Sequence, residues 1–235
     1  MTEEKSKKKF YVIATPIGNL GDITFRALET LKEADLILCE DTRVTKKLLD
    51  RYNIQKPLLS YHQQSKPHKI KKIIEYLKNG KTLALATDAG TPGISDPGNK
   101  LVAEILEEFG DEIKIVPIPG ASAITALASV AGIDLSKFAF LGFPPNKKGR
   151  ETFFKEAINI GYPVFYYDSP HRFLKNIKLC RELMQKEKIE RKIIVGRELT
   201  KMFEEIVRGD SDEIIKYFEA NKRSIRGEFV VIIAM

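Results

Sequence analysis

The chain has 235 residues, 43% of them hydrophobic, enough for one large or two small domains with real cores. Its 39 Lys and Arg against 32 Asp and Glu leave a net charge of +7, a moderately basic balance that suits a polyanionic partner. No apolar run reaches the roughly 18 residues needed to span a bilayer. The three histidines (His62, His68, His171) are scattered and offer no metal-type spacing, so no metal is expected. Cys39 and Cys180 stand far apart and read as buried thiols of a reducing cytoplasm rather than a disulfide.

Residues 1–9 (MTEEKSKKK) carry lysines with no long apolar stretch behind them, so they read as a disordered basic tail and not a secretory signal. Residues 10–15 (FYVIAT) read as a first strand, followed by the turn PIGNLGD and a helix to about Ala34 that Asp22 or Thr24 can cap. Residues 36–39 form a second strand that ends in Glu40-Asp-Thr-Arg43, then a helix to about Tyr52. A short strand at 57–61, a polar loop at 62–67 and a helix at 70–77 follow. The apolar run 82–87 is a buried strand, and 99–109 has helical spacing. Between them lies TDAGTPGISDPG (residues 87–98), with three glycines, two prolines, two Asp and several hydroxyls. Strand-to-helix connections are usually two to six residues long. A longer polar one at the carboxyl end of a strand is where open α/β sheets place ligands, and glycines there let backbone groups approach.

A strand at 113–118 ends in Pro119-Gly-Ala-Ser122. Strand and helix alternate five times up to this point, which predicts a parallel α/β sheet. The boundary falls at this turn, giving an N-terminal α/β domain over 10–118 and a C-terminal one over 119–235. The second half is less regular. A small-residue helix at 122–130, a strand at 138–142 and a basic loop at 143–150 come first. A helix at 151–160, a strand at 164–167, the turn Asp168-Ser-Pro-His-Arg172 and a long helix to about Gln185 follow. A strand at 192–196 ends in RELTK (197–201). A strand near 203–207, a helix at 211–220 capped by Ser211 and a strand at 228–234 complete the chain.

Polar clusters therefore recur just after strands, and strand ends of one sheet are neighbours. The first turn lacks GxGxxG, and no Gly-Lys-Ser/Thr or GxSxG is present. That disfavours a simple NAD or ATP enzyme and an α/β-hydrolase.

The motifs TPIGNLGDITFRA (15–27), EDTR (40–43), DAGTPGISDPG (88–98), PGASA (119–123), SPHR (169–172) and RELTK (197–201) together resemble one family over nearly the whole chain. It is the ribosomal RNA small subunit methyltransferase I family of the tetrapyrrole methylase superfamily. The resemblance implies a two-domain α/β fold with S-adenosyl-L-methionine in the interdomain cleft, distinct from the Rossmann-type methyltransferases. It implies a cytoplasmic homodimer that methylates the ribose 2′-oxygen of a cytidine in small-subunit rRNA, at the decoding region and within the 30S subunit. By motif position, the donor contacts would be Ile17, Gly90, Thr91, Ile94, Ser122, Ala123, Tyr167, Leu199 and Phe229, with Gly227 and Glu228 beside the last. The superfamily often carries Asp where this chain has Thr91, so only a backbone role carries over there. The central loop would hold the donor through its backbone.

A ribose hydroxyl is a weak acid, so a base or a cation beside it would help. Candidates are Asp41, Glu40, Arg43, Lys201 and Glu228, with His171 behind them. Asp41 and Arg43 read equally well as a helix cap and a solvated arginine. Arg172 and Arg197 suit bidentate phosphate contacts. Lys147, Lys148 and Arg150 could track an RNA backbone or simply be solvated. A small-molecule tetrapyrrole methylase and a non-catalytic RNA-binding module are the competing readings.

Overall fold

The computed structural model describes residues 8–62, 67–96, 98–222 and 225–235. Chain contacts divide into two compact units, Met1–Ser122 and Ala123–Met235, each described by itself.

The first unit is a parallel sheet wrapped on both faces. Its strands are β1 (Lys8–Ile13), β2 (Leu36–Cys39), β3 (Leu58–Ser60), β4 (Leu83–Ala86) and β5 (Ile113–Ile118), in the spatial order β3-β2-β4-β1-β5. Helices α1 (Phe25–Glu33), α2 (Thr42–Arg51), α3 (Pro67–Lys78) and α4 (Gly98–Phe109) connect them. Period-two alternation decides the faces. Phe10, Leu83 and Leu85 pack with Ile73, Leu77, Leu101 and Ile105 of α3 and α4. Tyr11, Ile13, Ala84 and Ala86 face Ala27, Leu31 and Leu49 of α1 and α2. The alanines of β4 match a face where helices approach closely. Thr24 caps α1, its Oγ1 accepting from the Ala27 amide at 3.1 Å.

Lys8 and Lys9, expected in a disordered tail, instead begin β1 and pair with Ile113 and Lys114. The rest of that tail, residues 1–7, lies outside the described residues, as do 63–66 of the predicted polar loop.

The second unit holds α5 (Ala123–Val130), β6 (Ala139–Phe140), α6 (Arg150–Asn159), β7 (Val164–Asp168), α7 (Pro170–Glu187), β8 (Lys192–Arg197), β9 (Glu205–Gly209), α8 (Ser211–Ala220) and β10 (Phe229–Ala234). The order is β6-β7-β10-β8-β9. Only β6 and β7 run parallel; β10 returns from the chain end to pair antiparallel with both β7 and β8. Helices α6, α7 and α8 cover one face, where Phe154, Phe173, Ile177 and Phe218 are fully buried, each worth about 2 kcal/mol of apolar burial. Leu127 of α5 lies against Gly196 of β8 on the other face.

The expected Ser211 cap is one residue off. Asp210 caps α8 in a reciprocal capping box with Glu213, and Ser211 is buried inside the helix. Both cysteines are buried and free. Among the described residues, no helix is long and apolar enough to cross a membrane.

Candidate functional site

All five strands of the first unit are parallel, so their carboxyl ends share one edge, and the loops leaving that edge are tied to each other. The Gly90 amide donates to the Thr15 carbonyl at 3.1 Å, and the Thr15 amide donates back to the Gly90 carbonyl at 2.9 Å. Thr15 Oγ1 donates to the Thr87 carbonyl at 3.0 Å, and Thr87 Oγ1 donates to the Gly90 carbonyl at 2.9 Å. The central loop is thereby bolted to the first turn, with Ile17 buried beside Gly90. On the other side, Thr91 Oγ1 donates to the Ala121 carbonyl at 3.3 Å. Gly120 lets its turn approach Ala14, since a Cβ there would lie 3.1 Å from the Ala14 Cβ.

The loop then winds around Asp96. Its carboxylate accepts from the amides of Gly93 and Gly98, each at 2.6 Å, and Asn99 Nδ2 donates to the Gly93 carbonyl at 2.7 Å. Asp88 Oδ1 accepts from the Asp41 amide at 3.0 Å, joining the ends of β2 and β4. The edge is acidic. Burial pushes the Glu40 carboxyl up, with the charges of Asp88 and Asp96 adding to it. Burial also raises Asp96, against the pull of its backbone hydrogen bonds.

The structure bears on two expectations here. Gly90 was expected to offer its backbone to a ligand, but its N–H and C=O are both spent on Thr15. Asp41 and Arg43 form the cap: Asp41 Oδ1 accepts from the Arg43 amide at 2.8 Å, and the exposed Arg43 guanidinium folds back onto the same carboxylate. Hydrogen bonds from Arg43 hold Asp41 down at about 2, where it is a poor base. Thr91 is half-buried, Ile94 is exposed, and Ser122 and Ala123 are half-buried at the start of α5.

In the second unit, the RELTK segment is a tightly bound turn at the end of β8. Glu198 and Thr200 both have left-handed backbones, with φ of 51° and 67°. Such conformations cost non-glycine residues energy and persist only where the surroundings fix them. The Glu198 amide donates to the Glu228 carbonyl at 2.9 Å, and the Thr200 amide donates to Glu204 Oε2 at 2.6 Å. Glu198 Oε1 accepts from Lys201 Nζ at 2.8 Å and from the Glu228 amide at 3.0 Å. Lys201 Nζ also reaches Glu228 Oε2 at 2.9 Å. Burial pulls the Lys201 ammonium down, but its bonds to Glu198 and Glu228 outweigh this and the net shift is upward. Lys201 is therefore a fixed cation and not a base at neutral pH.

Arg197, expected at a phosphate, is buried inside the unit. Its Nε donates to Glu205 Oε2 at 2.8 Å, and its terminal nitrogens to the carbonyls of Phe203 and Arg226. Arg172 is also committed: Nε donates to Ser169 Oγ at 3.1 Å, Nη1 to the Pro144 carbonyl at 3.0 Å, and Nη1 to Asn146 Oδ1. Lys147 and Lys148 are exposed, Arg150 begins α6, and His171 is exposed in the first turn of α7. Phe229 is a core residue stacked on Phe173 at 4.3 Å, and Leu199 is buried against Gly196, so neither side chain is presented to a ligand. Tyr167 is half-buried between Phe140 and Phe143.

Sequence reasoning did not single out Glu198, Asp88, Asp96 or the Thr15–Thr87 pair, although all of them lie in motifs it marked. What it could not read is the left-handed backbone of Glu198 and the bonds each side chain makes inside those motifs.

The first unit is thus a five-stranded parallel sheet whose strand ends share one edge, and the second a mixed sheet in the order β6-β7-β10-β8-β9. The Tetrapyrrole (Corrin/Porphyrin) Methylases family model matches residues 9–215, and the chain belongs to that family. Within it, the chain is 43% identical over 226 residues to the ribosomal RNA small subunit methyltransferase I of Thermotoga maritima, covering 96% of this chain and 98% of that one. It is 44% identical over 225 residues to the protein of the same name in Bacillus subtilis, covering 95% of this chain and 74% of that one. Among solved structures, cobalt precorrin-4 methyltransferase aligns with a TM-score of 0.68 at 17% identity, covering 97% of this chain and 95% of that one. Uroporphyrin-III-C-methyltransferase from Thermus thermophilus aligns with a TM-score of 0.65 at 15% identity, covering 97% and 94%. These likenesses speak for the fold alone.

Proposed function

We propose that this protein is an S-adenosylmethionine-dependent methyltransferase of small-subunit ribosomal RNA, acting on the ribose 2′-oxygen of a cytidine at the decoding region. The observation that carries this reading is the near full-length likeness to proteins named for methylation of small-subunit rRNA. The first unit's strand edge supports the donor. Glu40, Asp88 and Asp96 gather negative charge there, which suits a sulfonium cation and disfavours a phosphate cradle. Bound, S-adenosylmethionine supplies an electrophilic methyl group.

Ile17, Thr91, Ile94, Ser122 and Ala123 are the proposed contacts on the first unit's edge and just beyond it, with Gly90 shaping the loop through its bond to Thr15. Tyr167 and the backbones of Leu199 and Phe229 remain proposed contacts on the resemblance. For the chemistry, Lys201 supplies positive charge that stabilises an oxygen losing its proton. Glu228, whose side chain is 75% exposed and whose Oε2 pairs with Lys201 Nζ at 2.9 Å, is our candidate to take that proton from the 2′-hydroxyl. Positioning of the acceptor supplies much of the remaining rate. Lys147, Lys148 and Arg150 contact the RNA backbone. The protein works in the cytoplasm as a homodimer on the 30S subunit.

The test offers labelled methyl donor with undermethylated small subunits, free rRNA or a porphyrinogen. Label on rRNA supports the reading; label on the macrocycle alone, or RNA binding without transfer, contradicts it.

A further inference from the structure

Residues 141–150 carry an aromatic feature that the methyl-transfer chemistry does not use. β6 ends at Phe140, and the chain stays paired with β7 through the bonds from the Leu141 amide to the Phe165 carbonyl at 3.0 Å and from the Tyr167 amide to the Gly142 carbonyl at 2.9 Å. Gly142, at φ 70°, then turns the chain outward. Pro144 is buried, while the preceding Phe143 keeps 51% of its surface in solvent. Its ring is backed by Tyr167 at 5.3 Å between centroids, and Tyr167 is backed in turn by Phe140 at 4.9 Å. An aromatic ring supported by neighbouring rings, with half of its surface in solvent, is available to stack with another flat ring.

The loop is also pre-set. Arg172, at the start of α7, donates to the Pro144 carbonyl and to Asn146 Oδ1 while its Nε is held by Ser169. The exposed Lys147 and Lys148 follow on the same short segment. An exposed aromatic ring next to exposed cations is the kind of arrangement that binds single-stranded nucleic acid: bases stack, and phosphates meet lysines.

We infer that Phe143 is a stacking platform for an unpaired base of the RNA substrate, with Lys147 and Lys148 taking the adjoining phosphates and Arg172 acting as the positioning residue that holds the loop. This rests on the RNA-methyltransferase reading above and adds the subsite to it. An unpaired base is required because a stacked, paired one shows no free face. Arg172 thus moves from a phosphate contact to a support for the residues that make such contacts.

The experiment measures binding of a fluorescent single-stranded oligoribonucleotide across a salt series, and methyl transfer to undermethylated small subunits, for the full chain and three variants. Phe143→Ala should weaken oligonucleotide binding about tenfold, within the range expected for one lost base stack, with the salt slope unchanged. Phe143→Trp should restore it. The Lys147→Ala, Lys148→Ala double variant should lower the salt slope by about 1.4, the value for two phosphate contacts on a single strand. In the transfer assay Phe143→Ala should raise KM with kcat kept. If the wild-type chain labels rRNA and Phe143→Ala matches it in both assays, or if Trp fails to restore binding, the platform is overturned. If the wild-type chain labels no rRNA at all, the underlying reading falls, and the two failures are told apart.

Discussion

The carboxyl group of Glu198 occupies the space a side chain at Gly227 would need. A Cβ at position 227 would come within 2.2 Å of Glu198 Oε1 and Cδ, and Gly227 itself sits at φ 80°. Glycine at 227 is thus what allows Glu198 to reach the Lys201 ammonium and the Glu228 amide together. Gly227→Ala should expel Glu198, cost about 1–3 kcal/mol of stability from the positive φ and the lost bonds, and lower methyl transfer. Glu198→Gln keeps the shape and the bond to the Glu228 amide but removes the charge beside Lys201. It should cost about 1 kcal/mol in urea unfolding and shift the alkaline limb of the transfer rate to lower pH, because Lys201 then loses a partner that favours its protonated form. An unchanged pH profile would show that Lys201 does not act as a cation in the reaction.

The Thr15–Gly90 pairing revises what a substitution in the central loop should do. Gly90 lies at φ 81°, and its backbone closes a two-bond bridge. Gly90→Ala should cost about 1–2 kcal/mol from the left-handed backbone and weaken donor binding in the same variant, because the bridge positions the loop. Calorimetric donor titration and thermal unfolding read the two effects. Weakened binding with full stability would mean that Gly90 touches the donor directly.

Two sets of basic residues should separate cleanly. Arg197→Ala removes one partner of a nearly buried ion pair with Glu205, so it should destabilise the chain by about 3–5 kcal/mol. Per folded molecule, RNA affinity should be unchanged. Lys147→Ala should leave stability within about 0.5 kcal/mol, as exposed substitutions do, and reduce the salt dependence of RNA binding. Denaturant melts and salt titrations of both variants check the contrast.

Asp168 gives a pH dependence. Burial pushes its carboxyl up from 3.8 to about 6, against the hydrogen bonds from Asn176 and Ser169 and the charges of Arg172 and Arg150. Between those two values the folded state holds a proton the unfolded chain has released, so stability falls as pH rises through the window. Above about 6 the penalty levels off at about 3 kcal/mol. Asp168→Asn removes the ionisation. Relative to wild type, the variant should gain about 2 kcal/mol on going from pH 4.5 to pH 7 in urea unfolding. A constant difference would mean that Asp168 is not raised.

Much of the first unit was legible from the sequence because parallel strands buried on both faces read as short apolar runs such as LALA, separated by amphipathic helices. The second sheet was less so. The placement of β10 between β7 and β8 depends on a long-range return that no local pattern encodes. The site motifs were visible, since Gly, Pro and Asp cluster only where loops are special. What each side chain does inside them was not. Arg197 and Arg172 look like phosphate ligands in the sequence and are internal braces in the fold. Phe229 begins an apolar strand and turns out to be stacked core. Asp41 was readable as either a cap or a catalyst, and only the Arg43 geometry separates the two.

The most direct test of the central claim is the chemical position of the transferred methyl. Small subunits lacking the modification are incubated with the protein and labelled S-adenosylmethionine, and the rRNA is then hydrolysed in alkali. A 2′-O-methyl blocks cleavage at its own linkage, because the neighbouring hydroxyl that would attack the phosphate is gone. The account predicts label in an alkali-resistant dinucleotide whose 5′ residue is a cytidine from the decoding region. Label released wholly in mononucleotides, marking a methylated base, or no label on rRNA from a protein that binds the donor, would contradict it.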